Sequence, residues 1–280
     1  ILALSKGNVS RAVANAHTLI KICEVFLLFP FMGWVVKATY RIVPGEDGCS
    51  TDAYELKYIQ PEGSVSPATA VVDGIHELQQ MGELAMNNLK MSMEALCEPD
   101  EKKIKEVCEQ EAYIDFLNRE ITDYLVKISE LDLPIADAKI LGGLFHVVND
   151  IERIGDHAEN FAEAAKERME KQIPFSEKAI RQIREMAEMV TEVLDYALQM
   201  FSERSTEHMK EVLQLEEAVD QLERKLQKAH VKRLTKGKCT PEASMLYSDA
   251  ISGLERAADH ATNIAFAILE PEDLSEEEEE

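Results

Sequence analysis

An internal duplication limits the folds open to this chain more than any other feature of its sequence. The string ERIGDHAEN at 152–160 returns as ERAADHATN at 255–263 and keeps Glu, Arg, Asp, His, Ala and Asn in the same columns. Upstream, KEVCEQEAYID at 105–115 aligns with KEVLQLEEAVD at 210–220, an offset of 105 residues (210 − 105). A unit repeated in this order predicts two similar halves that pack against each other.

Helical periodicity runs through every long stretch between residues 67 and 270. Proline and glycine breaks divide this region into six helices of roughly 30 residues. Ser66-Pro67 and Thr240-Pro241 each place a capping hydroxyl before a proline, which is typical of a helix start. We therefore predict an all-α fold of two pseudosymmetric antiparallel three-helix bundles, with repeats at about 67–171 and 172–270.

Each repeat carries two Glu-x-x-x-Asp pairs, and this spacing places both carboxylates on one helix face. Like charges so placed repel unless a cation offsets them. That cation is either a bound metal or an arginine, with Arg153 and Arg256 pairing across the bundle as the alternative. Carboxylate oxygens suit magnesium, calcium, manganese or iron. The candidate metal ligands are Glu111, Asp115, Glu152, Asp156, Glu216, Asp220, Glu255 and Asp259.

Two histidines stand directly after a candidate ligand, at His157 and His260. A histidine in this position acts either as an occasional ligand or as a hydrogen-bond partner beside the site. A third interpretation treats the whole acidic pattern as a solvated surface, because acidic residues are abundant in this chain. The sequence alone leaves these alternatives open.

The composition argues against several classes of function. Asp and Glu number 53 against 30 Lys and Arg, and the net charge of −23 argues against a nucleic-acid partner while favouring a cation. The chain has no Glu-x-x-His, no Cys-x-x-Cys and no Gly-rich phosphate loop, so we do not predict an enzyme. Five widely spaced cysteines indicate a reducing compartment.

The first 45 residues differ in composition from the rest. Residues 1–41 carry five Lys and Arg against Glu24 alone, a charge of +4 (5 − 1), and residues 25–36 contain no charged side chain. Because a membrane span needs roughly 20 apolar residues, we expect residues 12–36 to insert, with Lys37 and Arg41 on the inner side. The helical domain would then be cytoplasmic. The alternative is a buried helix of a soluble core.

Two further segments flank the helical region. Residues 46–66 are rich in Gly, Pro, Ser and acids, which predicts a linker. Residues 276–280 are five consecutive glutamates, and charge repulsion predicts that residues 271–280 form a disordered acidic tail.

These motifs resemble two protein families. The two copies ERIGDHAEN and ERAADHATN, in order within about residues 68–270, resemble a PhoU-type phosphate-uptake regulator domain. The string SRAVANAHTLIKICEVFLLFPF at 10–31 resembles the last membrane helix of the sodium/phosphate cotransporter family, although it has Ile20-Lys21 where that family commonly has Phe-Asn. The first resemblance implies multinuclear metal binding at the Glu-x-x-x-Asp strings, chiefly of iron.

The second resemblance implies a function that the residues alone do not show. Residues 1–45 would be the last membrane helix of a sodium-dependent phosphate transporter in the plasma membrane. Phosphate and sodium would bind a transporter domain missing upstream, and a second copy of the chain, forming a homodimer, is a further candidate partner. Two alternatives remain: a free-standing PhoU-type adaptor of phosphate-uptake signalling, and a metal-binding bundle without a connection to phosphate.

Overall fold

The helical region is seen in a computed structural model that describes residues 17, 21, 54–59, 66, 67, 69–237 and 239–268. The chain divides into residues 1–50 and 51–280, and six helices are described in the second unit. No strand occurs among the described residues. The helices are α1 (Ala70–Cys97), α2 (Glu101–Ser129), α3 (Ile135–Glu170), α4 (Glu177–Glu203), α5 (Met209–Leu234) and α6 (Pro241–Phe266).

The helices pack as two bundles of three. In the first bundle α1, α2 and α3 all contact one another, and in the second α4, α5 and α6 do the same. The bundles meet through equivalent helices, since α1 contacts α4 and α3 contacts α6. The predicted all-α architecture of two pseudosymmetric three-helix bundles is confirmed.

Close contact between the bundles requires a small residue. Gly82 on α1 faces Leu198 on α4, and any Cβ at Gly82 would overlap the leucine side chain. Buried side chains of both bundles form one continuous hydrophobic cluster, with Met81, Leu89, Met186 and Val190 among its fully buried members. The two repeats therefore share a core, which favours cooperative folding of both halves.

Local capping explains where several helices begin and end. Asp100 caps α2 by accepting from the N–H groups of Lys102 and Lys103, and Thr240 caps α6 at Ala243, as its sequence predicts. The predicted cap at Ser66 is wrong. The Ser66 carbonyl instead accepts from the N–H groups of Thr69 and Ala70, so this turn precedes α1, which begins at Ala70.

A short segment within the predicted linker packs on the first bundle. We call residues 54–59 the strap. The N–H groups of Lys57, Tyr58 and Ile59 donate to the carboxylate of Glu77 on α1 at 2.7–3.1 Å, and Glu77 is fully buried. A buried carboxylate requires such donors because it has lost its water. This part of the predicted linker therefore belongs to the folded unit.

Aromatic contacts hold the other end of the strap. The ring of Tyr54 stacks on Tyr113 of α2 with 4.8 Å between centroids, and it also contacts Phe116. The hydroxyl of Tyr113 donates in turn to the carbonyl of Glu55. The strap thus bridges α1 and α2 through both its backbone and its side chains.

Two predictions concern residues that the structure does not describe. The expected membrane helix at 12–36 lies outside the described residues, apart from His17 and Lys21, and so does the expected acidic tail at 271–280. Among the helices that are described, none combines the length and the apolar character that a membrane crossing requires.

The hydrogen bonds from the strap to Glu77 predict that replacing this carboxylate with an amide of the same shape destabilises the protein. In Glu77→Gln an amide nitrogen replaces one of the oxygens that face backbone N–H donors, and we expect a cost of about 2 kcal/mol. Thermal unfolding should shift downward by about 4–8 °C. The control is Glu83→Gln, an exposed position on the same helix. Equal melting temperatures for the two variants would contradict this assignment.

Candidate metal sites

The first candidate site lies between α2 and α3. Glu111 of α2 is 4% exposed, and its Oε2 accepts from Nδ2 of Asn88 at 3.4 Å. Its Oε1 is buried and has no hydrogen-bond partner. A buried oxygen without a partner is costly, and a bound cation is one way to satisfy it.

Gly155 on α3 makes room for the buried carboxylate. A Cβ at this position would lie 2.7 Å from Oε2 and 2.9 Å from Oε1 of Glu111. The second repeat has Ala258 at the equivalent position, so only the first repeat has this cradle. The change from Gly155 in the first motif copy to Ala258 in the second therefore decides whether a carboxylate can be buried against the helix.

Acidic side chains crowd the first site. Burial, followed by the charges of Asp115, Glu159 and Asp156, raises the pKa of Glu111 to about 8. Burial, followed by the charge of Asp156, also raises the pKa of both Asp115 and Glu152. The predicted residues of the first repeat thus come together in one electrostatically coupled group, which Glu159 joins.

The second candidate site lies between α5 and α6. One carboxylate oxygen from each of Glu216, Asp220 and Asp259 lies within 4.8 Å of the others. Burial and the charges of Asp220 and Asp259 raise the pKa of Glu216. The pKa of Glu255 is raised by burial and then by the charges of Asp259 and Asp220, so Glu255 interacts with this group, although it is not one of the three residues within 4.8 Å.

Arginines offset part of this charge from within single helices. Arg153 lies 2.9 Å from Asp156 and 3.6 Å from Glu152, both on α3. On α5, Arg224 lies 3.0 Å from Asp220. The alternative in which Arg153 pairs across the bundle is therefore wrong, because its partners belong to its own helix. Single exposed ion pairs contribute little to stability, and most of the carboxylate repulsion remains.

The two histidines meet where α3 packs on α6. Their ring centroids are 6.0 Å apart, and Nδ1 of His260 lies 2.8 Å from Oδ1 of Asp150. Burial, followed by the charges of His260 and Arg256, lowers the pKa of His157 to about 4. His157 is thus neutral at physiological pH. The charge of His260 lowers the pKa of both Glu152 and Asp259, so this ring lies near both acidic groups.

Among the described residues, Glu216, Asp220 and Asp259 are the three whose carboxylate oxygens lie close enough together to share one hard cation. The first group does not bring three such oxygens this close, and its members are linked by their electrostatic interaction. Burial is the largest cause of the raised pKa values of Glu111, Asp115, Glu152, Glu216, Glu255 and Asp259, and neighbouring negative charges add to it. A cation would reverse that balance and favour the ionised forms. The ligand types suit iron, manganese, magnesium or calcium, and they do not choose among these metals.

Sequence reasoning missed the residues that occur in one repeat only. Asn88 and Glu159 support the first group, but the corresponding positions hold Val193 and Thr262. A search for repeated residues excludes both. The available signal for Glu159 was its position seven residues after Glu152, which places it on the same face of α3.

A duplicated three-helix unit with an acidic face between its second and third helices defines a class of regulatory domain. A family model described as the PhoU domain matches residues 78–165 and 183–268, which is one match in each repeat. This chain belongs to the PhoU domain family. The predicted PhoU-like domain is confirmed.

Curated relatives and a solved structure agree with this assignment. The chain is 31% identical over 191 residues to the phosphate-specific transport system accessory protein PhoU homolog of Synechocystis sp., covering 68% of this chain and 83% of the relative. It is 26% identical over 194 residues to PhoU homolog 1 of Thermotoga maritima, covering 69% and 83%. PhoU from Pseudomonas aeruginosa has the same fold, with a TM-score of 0.69, 24% identity and coverage of 72% of this chain and 97% of that chain.

The cradle at Gly155 predicts a difference between two glycine substitutions on α3. Gly142 is exposed and an added Cβ there meets nothing within 4 Å, so Gly142→Ala should stabilise the metal-free protein by about 1 kcal/mol. Gly155→Ala has the same helix-propensity gain but must displace Glu111, so it should be less stable than Gly142→Ala by about 1–3 kcal/mol. Urea denaturation measures both. If Gly155→Ala stabilises as much as Gly142→Ala, the carboxylate is not confined.

Proposed function

We propose that this chain is a PhoU-type regulator of phosphate transport, and that its acidic faces bind metal cations. Family membership supports the first statement. The relatives named above are accessory proteins of phosphate-specific transport systems, and this chain covers 83% of the length of each. The observation that carries the second statement is the close approach of Glu216, Asp220 and Asp259.

Each repeat contributes one set of ligands to the proposed metal sites. In the proposed sites α2 and α3 contribute Glu111, Asp115, Glu152 and Asp156, whereas α5 and α6 contribute Glu216, Asp220, Glu255 and Asp259. Iron is the metal that the family resemblance implies. A cation held by two helices links them in the folded state only, so binding stabilises the fold by an amount that rises with the logarithm of the metal concentration above Kd.

The proposed role is binding rather than catalysis. A regulatory domain of this shape presents long, acidic helices to a partner, and a metal that fixes α2 to α3 and α5 to α6 would keep those surfaces in one arrangement. The partner we propose is a phosphate transporter or its signalling kinase. Metal supply would then set how much of the domain is competent to bind.

A narrower second hypothesis concerns residues 1–45. Their resemblance to the last helix of a sodium/phosphate cotransporter, together with the uncharged stretch at 25–36, favours a chain in which transporter and regulator are fused. The PhoU-type function does not depend on it. Fractionation separates the two forms, because a fused transporter segment requires detergent for extraction and a free-standing adaptor does not.

Metal binding predicts a specific loss on neutralising the ligands. We expect the wild-type chain to retain iron or manganese after dialysis and to melt about 5–10 °C higher with metal at about a hundredfold excess over Kd than after chelation. Asp156→Asn and Asp259→Asn preserve shape but remove one charge each, so the double variant should lose this gain. Glu211→Gln, an exposed change on α5, is the control. Wild-type melting that ignores both chelator and metal would contradict the proposal.

The regulatory role has its own test in cells. In a bacterium lacking its own PhoU protein, expression of this chain should change phosphate uptake in phosphate-rich medium. The Glu211→Gln variant should act as the wild type does, and the Asp156→Asn, Asp259→Asn double variant should not. Radiolabelled phosphate uptake measures the effect, with equal protein levels verified by immunoblot. Uptake that is identical with and without the chain would count against a role in phosphate transport.

A further inference from the structure

A cavity of about 450 Å³ lies at the end of the second bundle, and none of the proposed metal ligands lines it. It is formed where α4 and α6 begin and α5 ends. Pro174, Phe175 and Tyr247 contribute apolar wall, and the polar lining includes Ser176, His230, Arg233 and Thr240. Ser176 and Thr240 are the N-caps of α4 and α6, so both helix starts border the cavity.

The charge of this cavity is opposite to that of the chain. The protein carries a net charge of −23, yet no carboxylate is found among the described residues that line the cavity. Its charged member is the guanidinium of Arg233. The positive ends of the α4 and α6 dipoles add to this field, whereas Glu177 and Glu242 in the first turns of these helices and the negative end of the α5 dipole reduce it. The residues that line this cavity therefore favour an anion, although the chain as a whole is acidic.

Comparison with the other repeat shows that folding does not require these polar residues. At an offset of 105 residues, His230 and Arg233 correspond to Leu125 and Ile128 on α2 (230 − 105 and 233 − 105), both fully buried. Tyr247 corresponds to Leu144 on α3 at the offset of 103. The first bundle packs these positions with aliphatic side chains. The second bundle uses a histidine, an arginine and a tyrosine around an open cavity.

Hydrogen bonds hold the polar residues in place. The hydroxyl of Tyr247 donates to Oε1 of Gln182 at 3.0 Å, and Nη1 of Arg233 donates to the same oxygen at 3.5 Å. The guanidinium lies 5.2 Å from the centroid of the Tyr247 ring. His230 is 5% exposed, with Nε2 2.6 Å from Oγ of Ser244. A preorganised cation on an aromatic wall is suited to a ligand with an anionic group and a flat organic part.

We propose that this cavity binds a small phosphate-bearing anion. Arg233 and the starts of α4 and α6 hold the phosphate, and the apolar wall formed by Pro174 and Phe175 lies along the organic part of the ligand. A planar guanidinium matches the geometry of phosphate oxygens, and N-terminal N–H groups add donors. The site is separate from the proposed metal ligands and does not rest on metal binding.

The test is calorimetric titration of the chelator-treated 280-residue chain with inorganic phosphate and with AMP. Removal of metal excludes phosphate binding through a cation. Both probes should bind the wild type, and Arg233→Gln should weaken binding about tenfold or more, since it removes a charged donor. The matched control is Lys232→Gln, an exposed neighbour on the same helix that does not line the cavity, which should change affinity about twofold or less.

A second variant separates loss of the site from loss of the fold. The double change His230→Leu, Arg233→Ile installs the residues of the first repeat, so it should fold with at least wild-type stability and lose binding of both probes. Tighter binding of AMP than of phosphate identifies a phosphomonoester ligand, and equal or tighter binding of phosphate identifies the free ion. The proposal is overturned if the wild type binds neither probe at millimolar concentrations, or if Arg233→Gln and Lys232→Gln bind alike.

Discussion

Repulsion between carboxylates on facing helices is the constraint on which the rest of this structure depends. The apolar stripes of α2 and α3 bring the two helices together, and Glu111, Asp115, Glu152 and Asp156 then interact through their charges. The same holds for α5 and α6, where carboxylate oxygens of Glu216, Asp220 and Asp259 come within 4.8 Å of one another. Glu111 is buried, so water screens its charge little, whereas the other carboxylates are partly or fully exposed. Positive charge near these carboxylates would stabilise the fold, and the ion pairs of Arg153 and Arg224 supply only part of it.

The fold and the membership of the acidic groups follow from the sequence because both are encoded twice. A repeated Glu-x-x-x-Asp spacing on helices of known order fixes which faces meet. The sequence did not predict the contacts that occur in one repeat and not in the other. The cradle at Gly155, the support of Glu111 by Asn88 and the docking of residues 54–59 on Glu77 each occur in the first half only. They depend on contacts between residues that are distant in the chain, and the spacing of residues within one helix does not predict such contacts.

The two halves have therefore diverged in complementary ways. The first half buries a carboxylate of the acidic group more deeply and uses the strap to satisfy a second buried carboxylate at Glu77. The second half leaves its acidic group more open, since Asp259 is exposed, and replaces aliphatic packing at its far end with His230, Arg233 and Tyr247. The two halves share one fold, and they differ in which polar side chains they bury and where those side chains lie.

Anomalous X-ray diffraction can show whether the carboxylate groups hold metal cations. Crystals of the chain grown with iron, measured on both sides of the iron absorption edge, should show an anomalous peak within about 2.0–2.3 Å of carboxylate oxygens of Glu216, Asp220 and Asp259. A second peak should lie beside Glu111. Maps that show no anomalous peak at either group, from crystals in which iron is present in solution, would contradict metal binding by these carboxylates and leave the acidic faces as surfaces without a metal.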